Sequence, residues 1–174
     1  KKTNYSAEIN EIQLHLISSI LRSNTNSISQ FIEENPNILS QCISIINSNE
    51  FHLDCFRVSL EIICYLFSES DYCVSLLLQS NILEPLSKIL EIEDYYDLKY
   101  HVLVGLSNIP VCSIDELEYL ITNKQIMTSI FKFLLSPFPQ KIKNESLILL
   151  SYIIQAIPSN RFSNILLEDI SLIY

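Results

Sequence analysis

The sequence predicts an all-α protein, a right-handed α-solenoid of about three full three-helix repeats with partial repeats at the ends. Three observations carry that expectation. Gly105 is the single glycine in 174 residues, which argues against barrels, sandwiches and dinucleotide-binding sheets, since all of these use glycine at turns, bulges and phosphate loops. A hydrophobic content of 48% against 18% charged can bury a sizeable core, so general disorder is excluded. Apolar residues recur every three or four positions, as one face of a helix requires.

Taken in order, this periodicity predicts helices near 5–23, 26–34, 37–47, 51–69, 71–79, 82–92, 95–109, 114–122, 125–135, 140–157 and 162–173. Ile9, Ile12, Leu16 and Ile20 mark the first, and Leu60, Ile63, Leu66 and Phe67 mark the fourth; both stripes are expected to be core. Pro36, Pro85, Pro110, Pro137, Pro139 and Pro158 stand at helix starts or ends, where a missing N–H is tolerated. Between helices lie Ser/Asn clusters such as Ser23-Asn24-Thr25-Asn26 and Asn47-Ser48-Asn49, with the side chains that turns favour.

The helices follow a repeating series. Aligning His15–Ile20, Glu61–Leu66, Val104–Ile109 and Ile148–Ile153 places Ser19, Tyr65, Asn108 and Tyr152 in one column, spaced 46, 43 and 44 residues apart. After each of the first three comes a junction asparagine, Asn35, Asn81 or Asn123, with an isoleucine within three residues. Asparagine tolerates the left-handed backbone of a sharp turn and is expected to stand in for glycine there. A period of about 40–47 residues carrying three helices is that of armadillo or HEAT arrays.

Two segments refine the choice. Ser80-Asn81-Ile82-Leu83-Glu84-Pro85-Leu86-Ser87-Lys88-Ile89-Leu90 resembles the entry to the second helix of an armadillo repeat, and Gly105-Leu106-Ser107-Asn108-Ile109 is similar to the end of that repeat's third helix. The resemblance spans nearly the whole chain, with approximate repeats at 1–23 (third helix only), 24–69, 70–112, 113–157 and 158–174 (first helix only). HEAT units, which usually have two helices, fit less well.

The armadillo resemblance implies a non-catalytic protein-interaction scaffold or adaptor. In that family the third helices line a concave groove that holds an extended peptide or partner segment. Positions four apart on a helix share a face, so the groove candidates are His15 and Ser19 with Arg22; Arg57, Glu61 and Tyr65 with Ser68; Tyr100, Val104 and Asn108; and Ile148, Tyr152 and Gln155 with Asn144. Tyr65 and Tyr152 lead, because tyrosine offers large area at low rotamer cost. Asn108 reads equally as a groove contact or as a helix C-cap before Pro110. Arg57 and Glu61 are spaced as an i, i+4 ion pair.

Within the family, the importin-α adaptors for basic nuclear localisation signals show the nearest functional pattern. There an asparagine clamps the peptide backbone, and a tryptophan one turn earlier packs on lysine. Asn108 fits the asparagine position. The tryptophan positions hold His15, Glu61, Val104 and Ile148, and the sequence has no tryptophan, which describes a degenerate version of that groove.

A net charge of -9 and a pI near 4.7 oppose attraction to nucleic acid or an anionic membrane, so the expected partner is a protein or an extended peptide. The candidate groove itself is mixed in charge. The acidic excess sits in Glu33-Glu34, in Glu91, Glu93, Asp94 and Asp97, and in Asp115, Glu116 and Glu118, read as a solvated ridge along repeat edges. Lys1-Lys2 and Lys141-Ile142-Lys143 are the only close basic pairs, too few for a nucleic-acid footprint.

The sequence does not point to an enzyme, a metal or a cofactor. His52 and Cys55 have a ligand-like spacing without a second tight pair, and no glycine-rich loop is available for phosphate or an oxyanion. Cys42, Cys55, Cys64, Cys73 and Cys112, odd in number and mostly in apolar surroundings, read as buried reduced thiols of a cytoplasmic or nuclear protein. No apolar run approaches the roughly 20 residues of a membrane span. Lys1 without an initiator methionine, and a helical pattern still running at Tyr174, suggest part of a longer chain. Self-association through the end repeats is accordingly a second expected use of the fold.

Overall fold

The computed structural model describes residues 3–23, 28–48, 53–109 and 113–156. They form ten helices: α1 (Thr3–Ser23), α2 (Ile28–Glu34), α3 (Asn37–Asn47), α4 (Leu53–Leu66), α5 (Asp71–Gln79), α6 (Leu83–Glu91), α7 (Tyr96–Leu106), α8 (Ile114–Thr122), α9 (Lys124–Leu135) and α10 (Gln140–Ala156). No strand occurs among the described residues, and no helix there is long and apolar enough to cross a membrane. The helix expected at 162–173, the partial repeat 158–174, and His52, Pro110, Cys112 and Pro158 lie outside the described residues.

Each turn is written in local chemistry. Ser70 Oγ accepts from Cys73 N–H to start α5, and Ser113 Oγ accepts from Glu116 N–H to start α8; these bonds satisfy N–H groups that the first helical turn leaves without partners. Pro85 sits in the first turn of α6, where proline removes no helical hydrogen bond. The three junction asparagines do three different jobs. Only Asn81 adopts the expected left-handed backbone, at φ 58°. Asn123 instead caps α9, its Oδ1 accepting from Ile126 N–H at 3.1 Å, and Asn35 Nδ2 donates back to Phe31 O at 2.9 Å to close α2. A fourth special position, unmarked by any turn residue, is Tyr95 at φ 60° just before α7.

The helices stack in a translational series. α3 packs on α4, α6 on α7 and α9 on α10, while α1, α4, α7 and α10 pack side by side in that order. α6 also packs on α9, and α5 on α8. The result is an α-solenoid whose third helices form one inner layer. Its core runs unbroken through the stack, from Leu14 and Ile32 through Leu60, Phe67, Leu103 and Phe133 to Leu149 and Ile153. A fully buried Leu, Ile or Phe contributes roughly 1.5–3 kcal/mol by leaving water, so stability is spread over many inter-repeat contacts.

Two inner-layer details explain why the helices sit as close as they do. A Cβ on Gly105 of α7 would lie 3.1 Å from Cys64 Sγ and 3.2 Å from Cys64 Cα on α4. The one glycine therefore stands where the α7 backbone comes close to that of α4 with no room for a side chain. Lys99 on α7 is buried, and its Nζ donates to the carbonyl oxygens of Leu90 and of Ile89, the latter at 3.5 Å. These are terminal carbonyls of α6, where the helix dipole favours a cation. The ammonium also lies 5.5 Å from the centroid of the Phe133 ring.

One core expectation is corrected. The stripe Ile12, Leu16, Ile20 on α1 is 69%, 60% and 36% exposed, whereas the matching stripe of α4, with Val58, Ile62 and Leu66, is buried. The periodicity is the same in both helices. What differs is that α4 has α1 behind it, and no described helix lies behind α1.

Candidate functional site

The candidate strip is the column of third-helix positions that point away from both neighbouring third helices. On α1 His15 and Ser19 are exposed, as is Arg22. On α4 Arg57 is exposed, with Glu61 and Tyr65 half-buried. On α7 Tyr100, Val104 and Asn108 are half-buried, and on α10 Ile148, Tyr152 and Gln155 are exposed, as is Asn144. None of them is buried, although each lies on a helix that is buried on other faces.

Side chains cross from one helix to the next along this strip. Arg22 Nη2 of α1 donates to Glu61 Oε2 of α4 at 2.7 Å. Glu61 thus pairs across the helix boundary with Arg22 rather than, as its spacing suggested, along its own helix with Arg57. Lys141 Nζ of α10 lies 3.6 Å from the centroid of the Tyr100 ring on α7, close enough for a cation–π contact. Glu145 of α10 lies beside Ser107 at the end of α7; burial raises its carboxyl above the usual range, with the Ser107 hydroxyl and Lys141 acting against it. From Tyr100 to Ser107 the partners on α10 advance from Lys141 to Glu145, so α7 and α10 run parallel.

The polar groups of the strip differ in how free they are. Tyr65 donates its phenol to Glu69, one turn on, and that bond pushes its pKa up to about 12, with burial adding to it. It stays a neutral donor and acceptor at physiological pH. Asn108 Nδ2 donates to Val104 O at 3.1 Å and to Gly105 O at 3.4 Å, the side-chain capping role that its position before Pro110 suggested. Ser19 donates to a carbonyl of its own helix, His15 O at 2.9 Å, and Ser68, in the turn after α4, donates back to Tyr65 O at 2.6 Å. Tyr152 and Ile148 are the exposed large apolar side chains of the strip.

Lys141, Glu69 and Glu145 belong to this neighbourhood and were not among the sequence candidates. Lys141 was legible in principle: it stands seven residues before Ile148, two turns along the same face. Glu69 was legible too, four residues after Tyr65 within the helix expected at 51–69, although α4 itself ends at Leu66 and Glu69 follows it. The four described cysteines carry free thiols and are buried. Burial pushes the Cys42 thiol up to about 12, with the nearby Ser59 hydroxyl acting weakly against it, and raises Cys64 as well, with Glu61 adding to it. Thiols held protonated in this way are poor nucleophiles.

A second depression, of about 350 Å³, lies between α5 and α8 and is lined by Ser75, Leu78, Gln79, Asp115, Glu116 and Tyr119. Ser75 donates to Glu116 across it, and Tyr119 donates to Asn81 Oδ1 at 3.2 Å. Its polar groups tie the two repeats together.

No protein-family model matches the sequence, and no curated protein matches it significantly. Solved structures do. An engineered protein from a structural genomics consortium superposes with a TM-score of 0.70 at 14% identity, over 84% of this chain and 57% of its own. A designed armadillo repeat protein in complex with the peptide (KR)4 superposes with a TM-score of 0.67 at 16% identity, over 82% of this chain and 62% of its own. A further engineered protein gives 0.59 at 12% identity, over 84% of this chain and 75% of its own. The chain spans about three fifths of the length of the first two. The fold is therefore that of armadillo-type repeats.

Proposed function

We propose that the protein is a non-catalytic interaction scaffold that holds an extended partner segment along the strip of third helices. The observation that carries this reading is the column of exposed and half-buried aromatic and aliphatic groups, Tyr65, Tyr100, Val104, Ile148 and Tyr152, on three helices that pack in succession. Aromatic side chains with a free polar edge are the typical anchors of protein interfaces. A solenoid also offers function along its surface, since each repeat contacts only its neighbours and no deep pocket need form. The designed neighbour in complex with (KR)4 lends support to a peptide as the kind of partner. The setting that suits buried, protonated thiols is the cytoplasm or nucleus.

The test is selection of peptides from a display library on the wild-type protein, with counter-selection on a Tyr65→Ala/Tyr152→Ala variant. Sequences enriched on the first and lost on the second support the strip. Equal enrichment on both places recognition elsewhere.

A second reading, an adaptor for basic localisation signals of the importin-α kind, draws on the basic peptide of the designed neighbour. Here the strip already holds its own cations where such a peptide would place them. Arg22 occupies Glu61, and Lys141 occupies the face of Tyr100. Titration of a lysine-rich peptide at low salt separates the readings: no saturable binding is expected, and measurable affinity favours the adaptor.

A further inference from the structure

We propose that the groove between α5 and α8 is a docking site for an arginine side chain carried on a segment of a partner protein, apart from the third-helix strip. The groove follows from how the repeats stack. α7 and α10 pack closely along the inner layer, whereas α5 and α8, the first helices of the same two repeats, touch only briefly, and a space of about 350 Å³ is left between them. That lies at the small end of the range for ligand pockets. Leu78, which is buried, lies at its base, Ser75 and Glu116 are half-buried on its walls, and Gln79, Asp115 and Tyr119 stand exposed at its rim.

The lining selects a guanidinium. α5 and α8 carry Asp71, Asp115, Glu116 and Glu118 and contain no lysine, arginine or histidine, so the charge of this helix pair is of one sign and its complement is a cation. Glu116 is held from two sides: Oε1 accepts from Ser75 Oγ, and Oε2 accepts from Ser113 Oγ at 3.1 Å. A carboxylate offers about four lone-pair sites, and these bonds use one on each oxygen. The two that remain stand side by side, the acceptor pair that a planar guanidinium fork fills and an ammonium does not. Tyr119 is fixed as well, because its hydroxyl donates to Asn81 Oδ1 at 3.2 Å. With Leu78 it supplies apolar surface on which an arginine stem packs. Tyr72, exposed and one turn before Ser75 on the same face of α5, carries that aromatic surface along the helix beyond the space that one side chain fills. The occupant is therefore an arginine within a longer segment.

Amide NMR of the 174-residue chain, titrated with the peptide acetyl-Ala-Leu-Arg-Leu-Ala-amide to about 10 mM, tests the proposal. Saturable shifts are expected at Ser75, Gln79, Asp115 and Tyr119, and none along the third helices. Glu116→Gln keeps the shape of the side chain, and glutamine still suits the start of a helix, so circular dichroism is expected to match wild type while affinity falls at least about tenfold. Asp115→Asn, at an exposed position, is expected to weaken binding by only about twofold to threefold. Lysine in place of the peptide's arginine is expected to abolish saturation. Equal binding of the lysine peptide overturns the proposal by showing a diffuse attraction to acidic helices. Shifts confined to the third helices, or no saturable shifts, overturn it as well. Acetyl-arginine amide binding as tightly as the peptide overturns the protein segment in favour of a small guanidinium ligand.

Discussion

Gly105 shows how much a single residue decides here. Adding a methyl group would set it 3.2 Å from Cys64 Cα, and backbone cannot yield as a flexible side chain can. Alanine gains about 1 kcal/mol in helix propensity over glycine, while overpacking costs about 1–3 kcal/mol. Gly105→Ala is therefore expected to destabilise the fold by about 1 kcal/mol in urea unfolding, against the sign that propensity alone dictates; a more stable variant would mean that α4 and α7 separate freely. The sequence placed this glycine on a third helix at a small position, and that much was legible. The asparagines were legible only as junctions. Whether each bends the backbone, caps the next helix or closes the last depends on the angle between the helices, which neighbouring repeats impose. Tyr95 shows the limit from the other side: a left-handed tyrosine carries no turn chemistry in its side chain, and costs about 1–2 kcal/mol relative to ordinary backbone.

Among the elements, α6 and α7 are joined by the buried Lys99 ammonium. Desolvation lowers its pKa from 10.5 to about 8, with Lys132 acting in the same direction and Glu91 opposing them. Below pH 8 both folded and unfolded chains carry the proton, and the cost of burying it is fully present. Between about pH 8 and 10.5 the unfolded chain binds the proton and the folded chain does not, so stability from this group rises with pH. Lys99→Met removes the trend. The stability difference, wild type minus variant, is expected to climb across that window when followed by urea midpoints, and a flat difference would show that the ammonium is well solvated. Sequence periodicity located both helices but could not foresee this contact, because a lysine on an amphipathic helix is ordinarily read as solvated. Cross-helix partners were equally hidden: Glu61 had Arg57 at good helical spacing, yet inter-repeat packing brought Arg22 nearer.

For the molecule as a whole, the repeat is what the sequence made plain, since a 46, 43 and 44 residue spacing constrains all four third helices at once. Periodicity reports only that a face is apolar; whether it is covered depends on the next repeat, as Ile12, Leu16 and Ile20 show. The same logic underlies the functional account. The strip is a set of column positions whose neighbours on either side are buried, with Ile148 and Tyr152 exposed and Tyr65 half-buried. Interface tyrosines commonly cost about 1–2 kcal/mol each when truncated, so removing two should weaken binding by roughly 30-fold to 700-fold. The most direct measurement is calorimetric titration of the selected peptides into wild-type and Tyr65→Ala/Tyr152→Ala protein, with helical content matched by circular dichroism. A loss of affinity of that size at unchanged helicity is the expected result, and an unchanged dissociation constant would contradict the strip as the binding surface.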